Sequence, residues 1–255
     1  MDYQSEARRA RLRLAGIGIA VLAVVAGGVV TLVGFGDDDR PPAAADAKPT
    51  PSTTASTSAR PSPAKEFTPA TAARVPLLKP KTNTEGIGRG FEHSSLGATS
   101  AAVTYWQDLS LLDDSIARRQ WAAIASKDSP GTVDRGVSEV RKVRESAGLP
   151  PSGGNPDGIT FSTSVKAVLT RSMDKSGDVI DVWMVYDRYA VIRDKGGDES
   201  PLKDEVTHLI LKWEAGDWKV TEEAKYTSGK PFGPRAYDPD SKYAFSDGWR
   251  MVDHG

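Results

Sequence analysis

Phe161-Ser162-Thr163-Ser164-Val165-Lys166-Ala167-Val168-Leu169-Thr170 is where the chain changes character. Phe161, Thr163, Val165, Ala167 and Leu169 alternate with Ser162, Ser164, Lys166 and Thr170. Successive side chains of a strand point to opposite faces, so this alternation predicts a strand with one face buried. Downstream, Asp174 to Gly177 turns the chain, and Val179 to Ile192 predicts a long second strand carrying Trp183, Tyr186 and Tyr189. Asp194 to Pro201 reads as a loop. Val206 to Glu214 predicts a third strand, Ala215-Gly216-Asp217 a hairpin, and Trp218 to Glu222 a fourth strand.

Upstream of a Pro- and Gly-rich loop from Leu149 to Gly158 the period is helical. Ala98, Ala102, Tyr105, Trp106, Leu109 and Leu112 recur at three and four, predicting a helix from about Gly97 to Leu112. Ile116, Trp121 and Ile124 follow Asp113 or Asp114 as N-cap. Val133, Val137, Val140 and Ala147 share a third helical face that Gly148 stops, while Arg135, Glu139, Arg141, Lys142 and Glu145 face solvent. Helices followed by an antiparallel meander predict an α+β domain over residues 86–224, with the helices on one face of a curved four-stranded antiparallel sheet.

The first third of the chain is different. Leu14 to Phe35 is 22 residues without a charge, enough as a helix for about 33 Å, close to the hydrocarbon thickness of a bilayer. Arg8, Arg9, Arg11 and Arg13 precede it and Asp37, Asp38 and Asp39 follow. The positive-inside rule then predicts a cytoplasmic tail (1–13), a single transmembrane helix (14–35) and an extracytoplasmic remainder in the cell membrane. The apolar run is longer than the core of a cleaved signal peptide. Ala23, Gly27 and Thr31 have the spacing of closely packed membrane helices, which makes a homo-oligomer one expected partner, although Gly and Ala are common in such helices. Residues 36–85, rich in Pro, Ala, Thr and Ser, read as a disordered linker.

A net charge of −1 gives no field to gather phosphates, so nucleic acid is not an expected partner. With no cysteine there is no disulfide framework and no thiolate chemistry.

The helices-then-strands order, closed by Leu211-Lys212-Trp213-Glu214-Ala215-Gly216-Asp217-Trp218-Lys219-Val220, resembles the cystatin-like cone of the nuclear transport factor 2-like superfamily over roughly 95–223. Joined to a membrane helix, the plan resembles the bitopic assembly subunits of conjugation and type IV secretion channels. Gly90-Phe91-Glu92-His93-Ser94-Ser95-Leu96-Gly97-Ala98 also looks like the opening of an uncharacterised membrane-anchored family of high-GC Gram-positive bacteria. These resemblances imply envelope or secretion proteins as partners and carry over no catalytic residue.

Imidazole chemistry has only His93, His208 and His254 to draw on. His93 reads as a cap or turn residue before the first helix. His208 is in phase with Val206 and Ile210 and reads as a hydrogen-bonded histidine beside the core. With Asp187 or Asp181 on the neighbouring strand it is the one acid–base pair that a pocket in the cone would bring together. Asp37 to Asp39, and Asp194, Asp198 and Glu199, lack the ligand spacing of a calcium loop. The sequence thus predicts no catalytic, cofactor-binding or metal-binding residues and no cofactor. The tail, 225–255, is rich in aromatics, which are costly to leave in water. It reads as packed on the domain, with Tyr237, Tyr243, Phe245 and Trp249 as candidate partner-binding residues. The expectation is a non-enzymatic assembly or scaffold protein; the alternative is a tethered enzyme or small-ligand binder that uses the interior of the cone.

Overall fold

The computed structural model describes residues 66–192, 196–197, 201–228 and 233–254. Three short strands come first: β1 (Val75–Pro76), β2 (Thr82–Thr84) and β3 (Ile87–Arg89). The first two lie in the stretch whose composition reads as linker. Three helices follow, α1 (Ser95–Asp108), α2 (Asp114–Ile124) and α3 (Gly131–Ser146). Then come β4 (Ile159–Ser172), β5 (Val179–Ile192), the two-residue β6 (Gly196–Gly197), β7 (Leu202–Glu214) and β8 (Asp217–Val220). The tail adds α4 (Ala224–Thr227), α5 (Lys242–Asp247) and β9 (Arg250–Asp253).

The strands make a curled half-barrel in the order β1-β9-β4-β5-β7-β8, with β6 paired to β5. Neighbours are antiparallel from β9 to β8, but β1 runs parallel to β9, so the sheet is mixed. This corrects the expected four-stranded antiparallel cone of the nuclear transport factor 2-like kind. The physical reason is length: β1 has two residues and β9 four, too few for any alternation to register.

The membrane expectation is also corrected. The segment 14–35 lies outside the described residues, and among the described residues no helix is long and apolar enough to cross a membrane. The longest, α3, has 16 residues with a strongly charged face, against the roughly 20 apolar residues a span requires. A single-pass, extracytoplasmic localisation therefore has no support in the described structure.

Local chemistry fixes the helix ends. Ser94 caps α1 by accepting from the Gly97 N–H at 2.9 Å, and Asp113 caps α2 by accepting from Ser115 and Ile116 at 3.0 and 2.8 Å. His93 is not the cap. Its Nε2 lies 2.8 Å from Asp178 Oδ1, and its ring stacks on Trp213 at 4.4 Å.

α1 lies on the inner face of the sheet, where Ala98, Ala101, Ala102 and Tyr105 meet Val168, Val182, Met184, Tyr186, Leu209 and Leu211. Its small residues let the helix sit close. A Cβ on Gly97 would come within 2.0 Å of the Glu92 carbonyl oxygen, which accepts from the Trp218 indole N–H. The Tyr105 hydroxyl donates to the Trp218 carbonyl, and its burial pushes its pKa up. Past a register shift between Val165 and Ala167, β4 buries both faces: Val168 points inward, while Ala167 and Leu169 meet Val185, Ala244 and Trp249 on the outer face. The sequence predicted one buried face because the second is covered by the distant tail.

At the register shift, β4 is plugged by side chains. Gln107 Oε1 accepts from the Val165 N–H at 3.1 Å, and His254 Nε2 lies 2.8 Å from the Val165 carbonyl oxygen. The loop after α3 is tied down by Arg144, a buried side chain surrounded by backbone carbonyls.

Candidate functional site

Cross-strand register decides which candidate residues meet. Trp183 of β5 is paired with His208 of β7 and Leu169 of β4, and in the next row Asp181 is paired with Ile210 and Arg171. Directly opposed residues share a face, so Asp181, Trp183 and His208 stand together on the outer side. They form a closed triangle. His208 Nδ1 is 2.9 Å from Asp181 Oδ1, the Trp183 indole N–H donates to Asp181 Oδ2 at 2.7 Å, and the two rings stack at 4.3 Å. Both oxygens of the buried Asp181 carboxylate are engaged. That arrangement fixes the imidazole's orientation and leaves Nε2 as its remaining nitrogen. General-base chemistry would need a nucleophile or substrate proton at Nε2, and none of the hydrogen bonds among the described residues supplies one.

Asp187 is not part of this group. Its Oδ1 lies 2.8 Å from Lys166 Nζ and accepts from the Asp204 N–H, and its Oδ2 accepts from the Tyr189 hydroxyl. Burial opposes its ionisation, but the ammonium and these donors outweigh burial and hold the carboxyl below the usual range. Asp181 and Asp187 thus serve different neighbours, three rows apart along β5.

The tail aromatics divide as well. Trp249 is buried in the outer cluster, its indole N–H donating to the Arg235 carbonyl at 2.8 Å, with Tyr237 edge-on to it at 5.5 Å. Gly233 passes close to Trp183, where a Cβ would stand 3.5 Å from the indole. Ser241 caps α5, and Gly248, at φ 114°, turns the chain out of it into β9. Phe245 lies between Phe67 at 5.7 Å and the Arg250 guanidinium at 3.8 Å. Tyr243 faces outward, 60% exposed, with Arg235 and Lys242 beside its ring; Phe67 is 46% exposed. Of the four tail candidates, Tyr243 is the one that presents a largely exposed ring.

Among the described residues no group of three or more His, Asp or Glu is placed to hold a metal ion. Sequence reading missed a different set. Arg188 of β5 points to the inner face between Trp106 and Tyr186, its guanidinium carbon 5.3 and 5.0 Å from the two ring centres. A signal existed: Val182, Met184, Tyr186 and Arg188 share one period of two, so a charged residue occupies the apolar face.

This geometry defines a curled mixed sheet with a helix on its inner face and a C-terminal strap on its outer face. Comparison with protein-family models, curated proteins and solved structures gives no match.

Proposed function

We propose that this chain is a non-enzymatic binding module that takes part in a protein assembly, docking its partner on the aromatic flank built by Phe67, Tyr243 and Phe245. The observation that carries the reading is the division of the tail. Trp249 and Tyr237 anchor the strap on the sheet, while Tyr243 is left outward beside cationic side chains. Tyrosine in such surroundings supplies large contact area at low entropic cost and often dominates interface energy. Of the acid–base candidates, Asp187 is held by Lys166, while Asp181 orients His208 and leaves its Nε2 over, so the turnover arm of the test below addresses that pair. The likeness to conjugation subunits rested on a membrane helix and a cone. The sheet found here differs, so the proposal keeps only the assembly role, with a protein partner or a second copy of the chain on the flank.

The test is a photo-crosslinking side chain at position 243 in the full-length protein in its native cell. A defined adduct, absent when the same group stands at the exposed Asp134 on α3, supports the reading; an adduct of doubled mass identifies the second copy. Adducts equal at both positions, or a saturable turnover that vanishes in His208→Ala, overturn it.

A further inference from the structure

Among the described residues three buried side-chain polar atoms have no hydrogen-bond partner: Arg188 Nη2, Trp106 Nε1 and Thr207 Oγ1. They lie in one neighbourhood. Thr207 is paired with Met184, Glu205 with Tyr186 and Leu202 with Arg188, so Thr207 and Arg188 stand two rows apart on the inner face with Tyr186 in the row between them. Trp106, from the last turn of α1, meets Tyr186 edge-on at 5.4 Å and lies under the Arg188 guanidinium. Arg188 is 6% exposed and Thr207 1%.

Native interiors rarely leave buried donors unmade, because each costs the desolvation of the group, and a buried charge costs more. Arg188 spends only its Nε, donating to Thr163 Oγ1 at 3.0 Å, and the two ring faces compensate only part of the charge. Loss of hydration weakens its hold on the proton. Arg144 in the same molecule shows the saturated alternative, with every guanidinium nitrogen on a carbonyl.

We infer that Arg188, Trp106 and Thr207 form a binding site for the carboxylate of a small organic acid. Two N–H donors and a hydroxyl match the oxygens of one carboxylate, and the Trp106 and Tyr186 rings supply flat apolar walls for the rest of the molecule. One guanidinium balances one negative charge. A phosphate dianion would add a second charge, and Glu205, paired with Tyr186 on the same face, already contributes a negative field at Arg188. The site is on the opposite side of the sheet from Tyr243's strap and is independent of the docking reading above.

The test uses the full-length protein with sodium acetate, propanoate and benzoate against sodium chloride at equal ionic strength, read by thermal unfolding and by titration of tryptophan fluorescence. At least one carboxylate is expected to bind saturably and raise the unfolding temperature beyond the chloride control. Arg188→Met is expected to weaken that binding at least tenfold, and Thr207→Val, which keeps the shape, several-fold. Glu205→Gln removes the competing charge and tightens it. Should Arg188→Met not fold, Thr207→Val decides, and unchanged affinity there overturns the proposal. So does the absence of a saturable effect with all three acids. A loss of stability in Glu205→Gln matching that of Arg188→Met, with no response to carboxylates, would identify Glu205 as an internal counter-ion and equally overturn it.

Discussion

Arg144 and Arg188 are both more than nine-tenths buried, and the surroundings the chain gives them are opposite. Arg144, at the end of α3, donates through Nε to the Pro150 carbonyl at 2.7 Å, through Nη1 to those of Gly153, Gly154 and Leu112, and through Nη2 to that of Ser152. The same loop is held from its other side by Asp114, which accepts from the Gly153 N–H at 3.0 Å, the Ser152 hydroxyl at 2.8 Å and Arg141. Every group there has a partner inside the molecule. Around Arg188 the partners stop short, with three polar atoms left over, two on the inner face of the sheet and one on α1. Saturated burial makes a clamp that shapes a loop. Unsaturated burial leaves binding capacity that only something from outside can use.

The contrast can be broken most directly at Arg144. Arg144→Met strands several carbonyls, and the expected loss in urea unfolding is about 3 to 5 kcal/mol. A loss below 1 kcal/mol would mean that the loop finds other donors and that the clamp is dispensable. Asp114→Asn should cost about 2 kcal/mol at neutral pH, since hydrogen bonds to a charged acceptor are lost. The Gly153 N–H, the Ser152 hydroxyl and Arg141 hold this carboxyl at about 2, below an unfolded value near 3.9. The contribution is therefore complete above pH ~4 and disappears as pH falls through about 2, so the melting temperatures of wild type and variant should converge there. Gly153→Ala is a sharper probe of the same clamp. A Cβ there would stand 2.6 Å from Arg144 Nη2 at φ 145°, and the expected cost is about 1 to 2 kcal/mol by chemical denaturation. The smallest effect belongs to Arg188→Met without added acid. Replacing a poorly compensated buried charge by an apolar side chain should leave stability within about 1 kcal/mol or raise it. A large loss would show that Arg188 is a second clamp.

Much of the central sheet was legible because β4, β5 and β7 each run 13 or 14 residues, long enough for a period of two to be seen. Gly148 as stop and a cap at Asp113 or Asp114 were readable from local chemistry, whereas the choice between Asp181 and Asp187 as the neighbour of His208 needed the register of β5 on β7. Beyond that, long-range pairing took over. Nothing in Arg250-Met251-Val252-Asp253 announces a strand inserted between β4 and β1, so the mixed order of the sheet was not accessible. Membrane topology was read from the charge pattern of residues 8–39, which the described structure does not include. The Arg188 site was half legible: its inward phase is in the sequence, but its want of partners depends on where Trp106 and Thr207 come to rest.

The placement of β9 bears on how the protein is made. β4 lies inside the sheet only because residues 250–253 settle along its free side, with β1 beyond them. On a ribosome, β4, β5 and β7 emerge long before β9, so that side of β4 stays bare until residues 250–253 have been made. A bare strand edge recruits other chains. The Gln107 amide and the His254 ring, which occupy the N–H and carbonyl of Val165, finish the job at the register shift, and the histidine follows β9 in the chain. Protection of the nascent sheet before that moment falls to chaperones or to speed.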